Sequence, residues 1–193
     1  MADDLFGSFK PRGADWDTSD DNLIFISGPA TDGLRTEVDD RAEFLRASLG
    51  LGPMRDKRVQ HVTFSHFGHY GHIPDAIEAA REIGRAVAIK RSVIVFDQYR
   101  SYFHPEQNNP FALVASETPD AVKLANRELV KRVRRLGIDC PSGINPHVTL
   151  RYGQEVVSLT DMQPILWPVD ELLLVMSRRG AQEHFIIDRW PAI

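Results

Sequence analysis

Hydrophobic positions along the chain follow two periods, and the period changes where Gly or Pro interrupts. Residues 23–27, Leu-Ile-Phe-Ile-Ser, make a short apolar run ended by Gly28-Pro29, the pattern of a buried strand. Leu34, Val38, Ala42, Leu45 and Leu49 then recur at helical steps, with Thr31 or Asp32 as the cap and Gly50 or Gly52 as the stop. A strand is expected over 58–67, a loop over 68–72, and a helix opened by Pro74-Asp75 that turns Ile77, Ala80, Ile83 and Val87 inward. Residues 92–102 and 111–115 read as strands joined by a turn-rich connection. Thr118 caps a third helix with Pro119 at its first position, an apolar stripe of Val122, Ala125, Leu129, Val133 and Leu136, and Gly137 as its stop. A proline-rich loop, 141–146, leads into a further strand. Runs at 171–178 and 183–189, joined by a turn at Gly180, close the chain.

This order is an α+β pattern in which each half supplies a sheet with a helix packed on it. One domain is expected over residues 23–193, and if its halves pack with their sheets facing, a cleft forms between them. Residues 1–22 read as an acidic, mobile arm. They hold six of the 27 acidic and two of the 23 basic side chains, so the remaining chain balances 21 against 21 and does not repel phosphate. A basic stripe for tracking along a duplex is missing. Asp3 and Asp4 follow Met1-Ala2, and no apolar run approaches the roughly 18 residues of a membrane span, so a soluble cytoplasmic protein is expected. One cysteine, Cys140, excludes an intramolecular disulfide framework and a cysteine-based metal cage.

Two strands carry the chemistry. His61-Val62-Thr63-Phe64 and His147-Val148-Thr149-Leu150 repeat the same order 86 positions apart, each followed by an aromatic residue and then Gly. Side chains alternate along a strand, so each His and Thr share one face while Val62, Phe64, Val148 and Leu150 share the other. One such pair per half fits an internal duplication, and if the halves pack with their sheets facing, two imidazoles and two hydroxyls meet in the cleft between them.

The paired signatures resemble those of the two-histidine (2H) phosphoesterase superfamily, in particular its 2'-5' RNA ligase and RNA 2',3'-cyclic phosphodiesterase branch. The likeness extends over roughly residues 23–191, with Gly68 after the first motif and Arg189-Trp190-Pro191 near the end as weaker cues. It implies a bilobal, pseudo-twofold duplicated domain, its two antiparallel sheets facing a central cleft with helices outside and the lobes interleaved, one motif strand in each. It also implies that the chain opens 2',3'-cyclic phosphate ends of RNA or nucleotides by His/His general acid-base catalysis, without metal or other cofactor. Run in reverse, the same groups would join ends through a 2'-5' bond. By the resemblance His61 is the general acid at the leaving oxygen and His147 the general base toward water. Thr63 and Thr149 would donate to the phosphate oxygens. Arg151, two residues beyond Thr149 on the same face, can neutralise phosphate, or it can serve as an exposed salt-bridge partner. Ser65 holds the corresponding place in the first half, where this branch commonly has a basic residue. The expected partner is an RNA end or nucleotide bearing a cyclic phosphate, met by a monomer with no membrane and no protein partner.

Other readings compete. ADP-ribose cyclic phosphate is an alternative substrate, and a non-catalytic RNA-end or nucleotide binder an alternative class. His66, His69 and His72 recur at three-residue intervals, but a Gly-containing loop fixes no metal geometry. Lys131, Arg132, Arg134 and Arg135 form the outer face of the third helix, where a solvated surface is favoured over RNA contact. Tyr70, Tyr99, Tyr102, Phe103 and Tyr152 are candidates to stack a base.

Overall fold

In the computed structural model the described residues are 22–70, 74–103, 108–136, 138, 140, 142–178 and 184–193. They form β1 (Asn22–Gly28), α1 (Asp32–Leu49), a 3-10 turn (Lys57–Val59), β2 (Val62–Tyr70), α2 (Pro74–Arg85), β3 (Ser92–Ser101), β4 (Asn109–Val114), α3 (Asp120–Arg135), β5 (His147–Gly153), β6 (Thr160–Val169), β7 (Glu171–Arg178) and β8 (His184–Pro191). The arm of residues 1–22 lies outside the described residues except for Asn22, which is buried and opens β1. The expected stop at Gly137 and turn at Gly180 also lie outside them.

Local chemistry accounts for the helices. Thr31 Oγ1 accepts the Leu34 amide at 3.3 Å, and α1 ends where Gly50 takes the left-handed conformation, φ +64°, and donates its N–H to Arg46 O. Only glycine adopts that conformation cheaply. Leu34, Val38, Ala42 and Leu45 are buried, but Leu49 at the last helical position is exposed. In α3 the expected Thr118 cap is not formed. Pro119 is the N-cap residue and no side chain caps it, so Asp120 supplies the negative charge of the first turn. Its stripe is Val122, Ala125, Leu129 and Val133, widened by Asn126 and Val130, while Lys131, Arg134 and Arg135 face outward.

Two strands depart from expectation. Residues 57–59 coil into a 3-10 turn capped by the Asp56 carboxylate, which accepts the Arg58 amide at 2.8 Å, so β2 begins only at Val62. It then runs through Gly68, His69 and Tyr70, expected as loop, because Ile24, Leu23 and Asn22 of β1 pair with them. β6 has no counterpart in the sequence reading. Pro164 and Pro168 argue against a strand, yet β6 is outermost in its sheet and needs to pair only with β3. Its alternation is plain once placed: Ile165, Trp167 and Val169 point in, Leu166 and Pro168 out.

The two four-stranded sheets run β2-β1-β7-β8 and β5-β4-β3-β6, with every pairing antiparallel. The division is not half by half: β7 and β8, the last strands, join the first sheet. β2 and β5 occupy equivalent outer positions, each beside an antiparallel neighbour, as a pseudo-twofold relation requires. One core unites both sheets with all three helices, including Ile24, Phe64, Phe96, Leu129, Val148 and Trp167. Each such side chain removed from water contributes roughly 1.5–3 kcal/mol before entropy is counted. A Cβ on Gly28 would come within 3.0 Å of the Phe64 ring and 3.8 Å of Trp167 Nε1, so the sheets are in close contact there. On the other face of the first sheet, Phe25, Leu173 and Val175 make a separate small cluster. No helix among the described residues is long and apolar enough to cross a membrane.

Candidate active site

In both motif strands the valine and the residue after the threonine go to the core: Val62 and Phe64, Val148 and Leu150 are all essentially inaccessible. The histidines and threonines take the opposite face. β2 and β5 approach each other, and His61, Thr63, His147 and Thr149 line one cavity above the Phe25 cluster.

The imidazoles are held alike. His61 Nδ1 lies 2.8 Å from Val59 O, and His147 Nδ1 lies 2.9 Å from Asn145 O. A carbonyl only accepts, so Nδ1 carries the hydrogen in each ring and Nε2 is the nitrogen left for proton exchange. The carbonyl two residues upstream therefore sets tautomer and ring orientation in both lobes.

Beyond the threonines the strands depart from simple alternation, again alike. In β2, Thr63 pairs with Ser27 and Ser65 with Ile26, leaving Phe64 as an extra residue. In β5, Thr149 pairs with Ala112 and Arg151 with Phe111, leaving Leu150 extra. A bulge of one residue flips the facing of everything after it. Ser65 thus shares the face of buried Ile26 and Arg151 that of buried Phe111, so neither stands with its threonine. Ser65 is buried with its Oγ 3.6 Å from Cys140 Sγ, and it lines an adjoining cavity that Thr63, His66 and His147 also border. Arg151 is 8% exposed and donates to Glu155 Oε1 at 2.8 Å, an ion pair that holds the Glu155 carboxyl below its usual range. The residues turned into the cavity are the next ones, His66 and Tyr152. Both bulged residues have their carbonyls engaged from outside the sheet: Asn126 Nδ2 donates to Phe64 O at 2.6 Å, and the Arg55 amide to Leu150 O at 2.7 Å.

Arg55 and His184 are among the cavity residues that escaped the sequence reading. Arg55 precedes the 3-10 turn; it pairs with no carboxylate among the described residues and its guanidinium lies 5.4 Å from the Tyr152 ring centroid. His184, the first residue of β8, presents its ring at 70° to His61, centroids 4.8 Å apart, and Phe25 lies 4.7 Å from His61. Neither position belongs to a motif, and no local pattern marks either one. Burial, then the charge of His184, push the His61 imidazole down to about 3, with Arg55 and His66 adding to the fall and Val59 O opposing it. Burial, then Arg55 and Arg35, push His184 down to about 4.

The remaining candidates divide. His66 is on β2, the side chain of His69 and all of His72 lie outside the described residues, and among those described no three His, Cys, Asp or Glu side chains are placed to hold a metal ion. Tyr99 packs edge-on against Phe111 at 5.9 Å, Phe103 is exposed and does not line the cavity, and Tyr102 lies 5.6 Å from His147 with its hydroxyl accepting from Asn145 Nδ2. The side chain of Tyr70 lies outside the described residues.

No family model matches the sequence, and no curated protein matches it. The fold does match solved structures. Escherichia coli LigT bound to NADP+ superposes with a TM-score of 0.70 at 16% identity, covering 89% of this chain and 98% of that one. A structure described as a phosphoesterase gives 0.69 at 16% identity over 89% and 98%. TT0787 of Thermus thermophilus gives 0.62 at 18% identity over 88% and 97%. The chain therefore has the fold of these proteins over nearly its whole described length.

Proposed function

We propose that this chain is a two-histidine phosphoesterase that hydrolyses 2',3'-cyclic phosphate ends of RNA or nucleotides, and that can run the reverse, 2'-5' joining step with the same groups. The observation that carries this reading is the matched pair of imidazoles, each with Nδ1 spent on the carbonyl two residues upstream and Nε2 left over, lining one cavity. LigT structures that share the fold hold phosphate and 3'-AMP, which supports a phosphate-bearing nucleotide as ligand here.

The site's groups suit the reaction. Water attacks phosphorus; its proton passes to one Nε2 as the new P–O bond forms. The bond from phosphorus to one ribose oxygen breaks, and that oxygen takes a proton from the other Nε2–H. Thr63 and Thr149 donate hydrogen bonds to the non-bridging oxygens as charge gathers on them. Arg55 supplies the positive charge first sought from Arg151, whose guanidinium is engaged by Glu155. Burial and the neighbouring His184 favour the uncharged form of His61, the form that takes a proton from water, so the roles that the resemblance implied are exchanged: His61 is the base, and His147 gives a proton to the leaving oxygen.

The test is incubation of the purified protein with 2',3'-cyclic nucleotides, cyclic-phosphate RNA ends and ADP-ribose cyclic phosphate, with product analysis. Ring opening of the nucleotide and RNA substrates is expected. No opening of any of them would refute the reading.

A further inference from the structure

Tyr152 is a large aromatic side chain, 53% exposed, at the rim of the cavity that holds both histidines. Single exposed aromatics are common on protein surfaces and mean little alone. This one is turned to its place by a specific device. Were β5 regular, Arg151 would stand in line with His147 and Thr149, and Tyr152 would point to the other face. The extra residue Leu150 reverses this, and the Arg55 amide occupies the carbonyl that the bulge leaves outside the ladder. The same residue then lays its guanidinium over one face of the Tyr152 ring, 5.4 Å from the centroid. The backbone of Arg55 thus fixes the bulge and its side chain backs the ring that the bulge presents. Among the described residues the ring makes no second aromatic or cationic contact.

We propose that Tyr152 is a stacking platform for the nucleobase of the substrate, resting on the assignment of the cavity to cyclic phosphates made above. A flat π-face beside a phosphate site fits a substrate in which a base hangs one ribose away from the reacting phosphorus. Arg55 behind the ring restricts its motion and leaves it less to lose when a base settles on the open side. A stack reads no hydrogen-bonding edge, so the site accepts all four bases with modest differences. This selects nucleotides and RNA ends over cyclic phosphates that carry no base.

The test compares 2',3'-cyclic UMP with a base-free substrate, glycerol 1,2-cyclic phosphate, for wild type, Tyr152→Ala and Tyr152→Phe. Loss of one stack raises KM for the nucleotide about tenfold in Tyr152→Ala, while KM for the base-free substrate rises far less and Tyr152→Phe behaves as wild type. Equal losses on both substrates, or none on either, would overturn the platform while leaving the proposed reaction standing. Calorimetric binding of 3'-AMP and of inorganic phosphate decides the matter independently of turnover. Wild type should hold 3'-AMP about tenfold more tightly than phosphate, and Tyr152→Ala should lose that margin. A wild type that binds the two equally would also overturn the proposal.

Discussion

The edge of the His184 ring rests against the imidazole of His61, centroids 4.8 Å apart and planes at 70°, although 123 residues separate them in the chain. Both rings titrate far below the ordinary histidine value, to about 4 and about 3. An unfolded chain would protonate both near pH 6.5, so below that pH it binds more protons than the folded one. Stability is therefore full above pH 6.5 and is lost as pH falls toward about 4 and then about 3. Melting temperature measured from pH 7 to pH 5, above the range of ordinary carboxylates, should drop. His184→Gln, which removes one titrating group, should flatten the drop, and an unchanged pH slope in that variant would count against the depressed histidine.

Removal of either motif histidine tests the catalytic assignment. His61→Ala and His147→Ala should each lower kcat/KM on a 2',3'-cyclic nucleotide by about 100- to 10,000-fold, the usual worth of a positioned acid or base. Circular dichroism should show both variants folded. Near-normal turnover in either would remove that residue from the mechanism.

Arg55→Ala should weaken binding of inorganic phosphate by about tenfold or more, since a charge-assisted hydrogen bond is worth roughly 1.5–3 kcal/mol. Arg151→Ala should leave phosphate affinity unchanged, because its guanidinium is spent on Glu155 on the far face of the strand. The reverse order of effects in a titration would restore Arg151 to the site.

Chelation gives a sharp outcome. Turnover by two imidazoles should survive EDTA and dialysis in full. Loss with EDTA and recovery on adding one metal would replace the proposed proton-transfer scheme.

Gly50 offers a stability test free of packing. A Cβ there meets nothing within 4 Å, so Gly50→Ala feels only the left-handed backbone at φ +64°. It should cost about 1–2 kcal/mol in denaturant unfolding. A neutral effect would mean that α1 ends differently in solution.

Where local rules hold, the sequence is legible. Thr31 and Gly50 bound a helix by their own chemistry, and the alternation in His61-Val62-Thr63-Phe64 sends Val62 and Phe64 to the core. What fails to read off is what a partner strand decides. Ser65 and Arg151 lie where unbroken alternation would align them with their threonines, but the bulges belong to the pairing with β1 and β4, and nothing in β2 or β5 alone announces them. β6 is hidden by two prolines that an outermost strand tolerates. Arg55 and His184 come to the cavity by tertiary placement from segments with no motif, so only the assembled sheet reveals them.

The place of β8 bears on how the protein is made. Its histidine touches His61, which immediately precedes β2 of the same sheet, so the contact closes 123 positions of the polypeptide. On the ribosome, then, the cavity stays unfinished until β8 has emerged. A nascent chain halted before β8 would carry both motifs and yet lack one wall of the pocket they serve.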